Sequence, residues 1–160
     1  MRIFISLVFP IFLIGCSQNP VGPPSVPLNQ LLASPDTITV DGTQLYLTTY
    51  LHRDFMPISP PDGNPLVANS YVSATDTINV NRLISTDAIW VVYQGQVWKS
   101  WLTTPAAPTD PQWAKSVTGI ARDGPKWGPD VRVDAVVRVS DSKGETYLLR
   151  ASDQWIGRTD

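Results

Sequence analysis

His52 and Cys16 are the only imidazole and the only thiol in this 160-residue chain. Those two counts bound its chemistry. A zinc centre takes several His or Cys ligands, and one histidine cannot supply them. A nucleophilic site needs a base beside Ser or Cys, and no G-x-S-x-G surrounds any serine. Aspartate is plentiful, yet Asp62, Asp76 and Asp141 lie in separate turn-like stretches and form no D-x-D-x-D-G calcium loop. No glycine-rich phosphate loop occurs. Two aspartates could meet at glycosidase spacing, but spacing in the chain does not select a pair. The expectation is a non-catalytic protein without metal or cofactor, with His52 a surface or groove residue.

One stretch is better suited to contact than to catalysis. "ARDGPKWGPD", residues 121–130, presents Arg122, Asp123, Lys126 and Trp127 between Gly and Pro residues that restrict the backbone. A restrained loop holding an indole among charges is a candidate interaction surface. The competing reading is structural: Trp127 plugs one end of the domain, and Arg122 pairs with Asp123 to close the corner. Arg53-Asp54 ends an earlier strand in the same manner. Trp113, Trp127 and Trp155 lie in loops or near the C-terminus, where exposed indoles would suit a saccharide.

The elements that position these residues are strands. The chain has one glutamate, Glu145, and fifteen prolines and ten glycines, while Val, Thr, Tyr and Trp recur in alternation. Residues 36–40 form a first short strand. In residues 44–55, Leu45, Leu47, Thr49 and Leu51 share one face, and Tyr46, Thr48, Tyr50 and His52 the other. "MPISPPDGNP", 56–65, is a loop, and 66–74 a weaker strand. "AIWVVYQGQVWKSWL", 88–102, is a hairpin turning at Gln94-Gly95. Its register sets Trp90 opposite Lys99 and Val91 opposite Trp98, with Trp90 and Trp101 on one face. Another proline-rich loop covers 103–111, and 115–122 is a strand. Residues 131–140 alternate Val131, Val133, Ala135, Val137 and Val139 with a mostly polar face, turn at "SDSKGE" and return over 146–151. The tail "SDQWIGRTD" is expected to pack back through Trp155 and Ile156. Six or seven strands joined by turns and proline loops predict an all-β domain. The expected form is an antiparallel β-sandwich of about seven strands, with a small β-barrel as the alternative. In strand count and spacing it looks like the immunoglobulin-like architecture, without that class's paired cysteines.

The first residues carry a different message. After Arg2, the run Ile3–Ile14 would make a helix only about 18 Å long, against about 30 Å of bilayer hydrocarbon. A charged start, a short apolar centre and small residues at its end describe a signal peptide. Leu13-Ile14-Gly15-Cys16 resembles the lipobox of bacterial lipoproteins. That resemblance implies cleavage after residue 15, a diacylglycerol on the Cys16 thiol, and acyl chains that anchor the protein in a membrane. It covers only the leader. Ser17, where inner-membrane lipoproteins commonly carry Asp, implies the outer membrane over the inner one in a cell that has both.

The expected organisation is a cleaved leader over 1–15, lipidated Cys16 with a proline-rich spacer to 35, and one domain over 36–160. A spacer of that composition would be extended and hold the domain tens of ångströms off the membrane. The formal charge of −2 gives no basic face for nucleic acid. The expected partners are the membrane, through Cys16, and an envelope protein or saccharide.

Overall fold

A computed structural model describes residues 22–105 and 110–160. The leader, Cys16 and the first part of the spacer lie outside the described residues, as does the middle of the 103–111 loop. One short helix, α1 (Leu28–Leu32), precedes eight strands. These are β1 (Thr37–Val40), β2 (Thr43–Asp54), β3 (Leu66–Ala74), β4 (Ile84–Tyr93), β5 (Gln96–Trp101), β6 (Val117–Gly124), β7 (Val131–Asp141) and β8 (Thr146–Thr159). No helix among the described residues is long and apolar enough to cross a membrane.

The strands form one sheet in the order β5-β4-β7-β8-β2-β3-β6, with β1 paired to β2. Beyond β5, Thr103 and Ile120 of β6 exchange both backbone hydrogen bonds, each 2.9 Å. That bridge brings the two ends of the sheet together. The fold is therefore all-β and nearly closed, the small barrel rather than two stacked sheets. Every pairing is antiparallel except β2 with the end of β8, which is parallel.

Bulges produce the curl. The β7–β8 ladder shifts between Val133 and Ala135, beside Asp153 at φ 54°. The β3–β6 ladder shifts between Leu66 and Ala68, beside Asp123 at φ 61°. A third shift falls between Thr86 and Ala88 of β4. An extra residue in one strand bends it and increases local twist. The extra residues fall in β8, β6 and β4, which therefore bend instead of lying flat.

Alternation fills the interior. Leu45, Leu47 and Leu51 of β2, Ala68 and Val72 of β3, Ile89 and Val91 of β4, and Val133, Val137 and Val139 of β7 are buried in one core. Trp98 packs against it, and Trp90 points the opposite way. The hairpin register is the expected one, Trp90 opposite Lys99 and Val91 opposite Trp98. Its turn places Gln94 at φ 47° and Gly95 at φ 79°. Of the tail, Ile156 is fully buried, while Trp155 stays 45% exposed on β8.

The N-terminal segment departs from the expected spacer. Residues 22–35 lie against the outer face of β4, β7 and β8. Leu31 is fully buried there with Trp90, Ala88, Val92 and Val136. Trp90 Nε1 donates to the Pro24 carbonyl at 3.3 Å, and Lys99 Nζ to Ser25 Oγ at 3.0 Å. Arg150 N donates to the Pro35 carbonyl at 2.9 Å. A domain boundary at 36 thus cuts through packed structure. The prolines do favour extended backbone, but β4 exposes an apolar outer stripe that this segment covers.

Candidate functional site

The β2–β3 loop and the β6–β7 loop meet at one end of the barrel. Arg53 holds them together. It continues the inward face of Leu45, Leu47 and Leu51, and is 3% exposed. Its Nε donates to the Asn64 carbonyl at 2.9 Å, and its Nη1 to the carbonyls of Gly128 at 2.6 Å and Lys126 at 3.2 Å. Its Nη2 donates to the Asp62 carbonyl. Burial lowers the Arg53 pKa and the Asp62 carboxylate opposes that; a guanidinium stays charged regardless. Lys126 Nζ bridges the same loops to Asp62 Oδ2 at 2.6 Å. Its hydrogen bond holds the exposed Asp62 carboxyl below the usual carboxylate range.

Trp127 leans into this end of the core, its ring 5.6 Å from that of Tyr93. It is half-buried, which fits the plug rather than the free contact surface. Trp127→Ala is expected to lower stability by about 2 kcal/mol, since a fully buried Trp costs about 3–5. Urea unfolding checks this, and no change in midpoint would return Trp127 to the surface. Arg122 and Asp123 sit elsewhere. They occupy the β6 bulge, both exposed, and form no ion pair with each other among the described residues. The bulge, not a paired corner, sets two consecutive side chains outward. The four candidates thus divide into a braced barrel end and a bulge beside the neighbouring face.

That neighbouring face is the outer side of β2 and β3. Tyr46 and Tyr50 are 36% and 51% exposed. His52 stacks on Tyr50 with centroids 4.8 Å apart. Its pKa is lowered, first by burial and further by Arg122, against the Asp54 carboxylate. Its Nδ1 is buried and has no hydrogen-bond partner among the described residues. Tyr71 stacks on Trp113, centroids 4.3 Å apart and planes 19° apart. Trp113 comes from a 3-10 turn (Pro111–Trp113) capped by Asp110, whose Oδ1 accepts from Gln112 N at 3.0 Å.

Tyr46 and Trp113 flank an open pocket of about 300 Å³. Asp76, Gln112, Lys115 and the Ser73–Ser116 pair also line it. The two serine hydroxyls are buried and 2.7 Å apart. Lys115 Nζ donates to the Thr77 carbonyl at 2.9 Å. Aromatic rings beside carboxylate, amide, ammonium and hydroxyl groups can grip a ligand with apolar faces and polar edges. Among the described residues no three His, Cys, Asp or Glu side chains gather as metal ligands.

Comparison with family models, with curated proteins and with solved structures finds no match for this chain. The site therefore has to be read from its own residues.

The exposed tryptophans do not form a platform. Trp101 and Trp155 are 44% and 45% exposed. They lie beside Arg138 and Arg132, whose guanidiniums are 5.7 and 5.0 Å from the ring centroids. Those arginines stand six positions apart along β7, about 20 Å, and Leu31 packs on Val136 between them. Sequence reasoning missed the pocket because Tyr46, Ser73 and Trp113 come from three distant segments. It noted Arg53 only as half of an Arg-Asp strand end, although the alternation of β2 gives it another place: an arginine in register with three leucines is directed inward.

Proposed function

We propose that this chain is a lipid-anchored, non-catalytic binding module of the cell envelope. Its ligand would be a saccharide, held in the Tyr46–Trp113 pocket. The anchor reading rests on Leu13-Ile14-Gly15-Cys16, and Ser17 favours the outer membrane as its destination. The observation that carries the ligand reading is the pairing of aromatic rings with a polar pocket on one open face. Sugar rings present apolar C–H faces that lie on aromatic rings, and hydroxyl edges that need donors and acceptors. Asp76, Gln112 and Lys115 offer both.

A protein partner is the second reading, and one observation favours it. Strand β5 pairs only with β4 and leaves its other edge open. Edges of this kind accept added strands. Here the edge is short, carries Lys99, and is tied down just beyond its end by the Thr103–Ile120 bridge.

The test is retention of the full chain on immobilised envelope glycans, wall polymer included. Tyr46→Ala and Trp113→Ala are each expected to weaken binding about tenfold, the equivalent of about 1.4 kcal/mol. Trp155→Ala, on another face, should change nothing. No retention of the wild type on any glycan, with a discrete protein crosslinked in intact envelopes, would replace the saccharide by the protein partner.

A further inference from the structure

We propose that the outer face of β5 docks on the bilayer that holds the lipid anchor. The inference rests on the lipid-anchor reading above. It follows from where the N-terminal segment first meets the barrel. Pro23 is buried, Pro24 accepts from Trp90, and Ser25 accepts from Lys99. The chain therefore leaves the barrel on the β4–β5 face. From Cys16 to Gly22 are six Cα steps, which reach at most about 22 Å when fully extended. With that anchor, the point where the chain meets the barrel lies within about 22 Å of the membrane.

The surface at that exit is suited to an interface. Val97, Lys99 and Trp101 alternate outward along β5, and Val97 and Trp101 are 39% and 44% exposed. Trp101 lies next to Lys99 on this face, one alternation further along. Indoles prefer the headgroup level, where the ring is apolar and its N–H is wet. Lys99 Nζ donates one N–H to Ser25 Oγ and keeps two for lipid phosphates beside the same strip. Arg138, beside Trp101, is already neutralised by Asp87 through bonds of 2.8 and 2.6 Å, so it brings no net charge. Around the nearly closed barrel, β8 and β2 lie opposite β5, while β6 and then β3 follow it across the Thr103–Ile120 bridge.

The experiment uses the full, lipidated protein in vesicles of phosphatidylethanolamine and phosphatidylglycerol, with and without brominated acyl chains. Bromine quenches indoles that reach the interface. Wild type is expected to float with the vesicles and lose emission. In Trp101→Phe the quenched share should be about twofold smaller, while Trp155→Phe, exposed elsewhere, should match wild type. Inserting a ten-residue Gly-Ser spacer between Val21 and Gly22 should also reduce quenching, because the exit then no longer holds β5 at the surface. Protein that floats but is quenched equally in wild type and Trp101→Phe, or not at all, overturns the docking and leaves the anchor standing. Protein that does not float, and behaves like Cys16→Ser, overturns the anchor and the docking with it.

Discussion

Arg53→Ala is expected to destabilise the protein by about 3–5 kcal/mol. The guanidinium donates to four backbone carbonyls from two loops, those of Asp62, Asn64, Lys126 and Gly128. Truncation takes the donors from four part-buried carbonyls, at up to about 1–3 kcal/mol each where water cannot replace them, and empties the buried space the side chain fills. Phe55 adds to the loss, because its ring lies 5.0 Å from the Arg53 guanidinium and 4.2 Å from that of Arg158. Whole domains are stable by about 5–15 kcal/mol, so the change is large. Arg53→Met separates packing from hydrogen bonding, since it fills the space without donating. Arg53→Lys should recover part of the loss, because one ammonium cannot fork to both loops. Urea unfolding of the three variants measures this. If Arg53→Met unfolds within 1 kcal/mol of wild type, the guanidinium is not what joins the loops.

Trp90→Ala should cost a similar amount by a different mechanism. Trp90 is 1% exposed, yet it faces outward from the barrel and is covered by residues 22–35. Its removal takes the centre out of the small core it forms with Leu31, Ala88, Val92 and Val136. Buried Trp to Ala costs about 3–5 kcal/mol. The Pro24 carbonyl also loses its donor. The expected sign is twofold: a lower unfolding midpoint, and rapid proteolytic cleavage within residues 22–35 while the barrel is still folded. Leu31→Ala should share the second effect, at about 2–5 kcal/mol. Cleavage no faster than in wild type would mean that the segment is held by its backbone contacts rather than by Trp90.

The two variants act at opposite ends of the same question, what keeps segments between and before the strands in place. At the barrel end a polar hub does it, through directed bonds to carbonyls. On the β4–β7 face an apolar patch does it, through burial. Both matter for the proposed binding role, because a module presenting a surface needs its loops fixed before the ligand arrives.

Much of the strand layout was legible in the sequence. Period-two alternation is a local property, and it marked the inward faces of β2 and β7 residue by residue. The Gln94-Gly95 turn fixed the register of its hairpin, because a two-residue loop leaves no freedom in which residues oppose one another. The same locality made the apolar run Ile3–Ile14 and the single Cys16 conspicuous. What the tertiary structure decided is all non-local. Closure into a barrel depends on bulges at Asp123 and Asp153, which alternation does not record, and on Thr103 meeting Ile120. Residues 22–35 looked like solvated spacer because their composition was read without the apolar stripe of Trp90 and Val136 that they cover. Arg122 and Asp123 looked like partners because they are adjacent, while a bulge points both outward. The Tyr46–Trp113 pocket draws on segments about seventy residues apart. Side-chain spacing along a chain reports faces of single strands; which faces meet is set by the energy of burying them together.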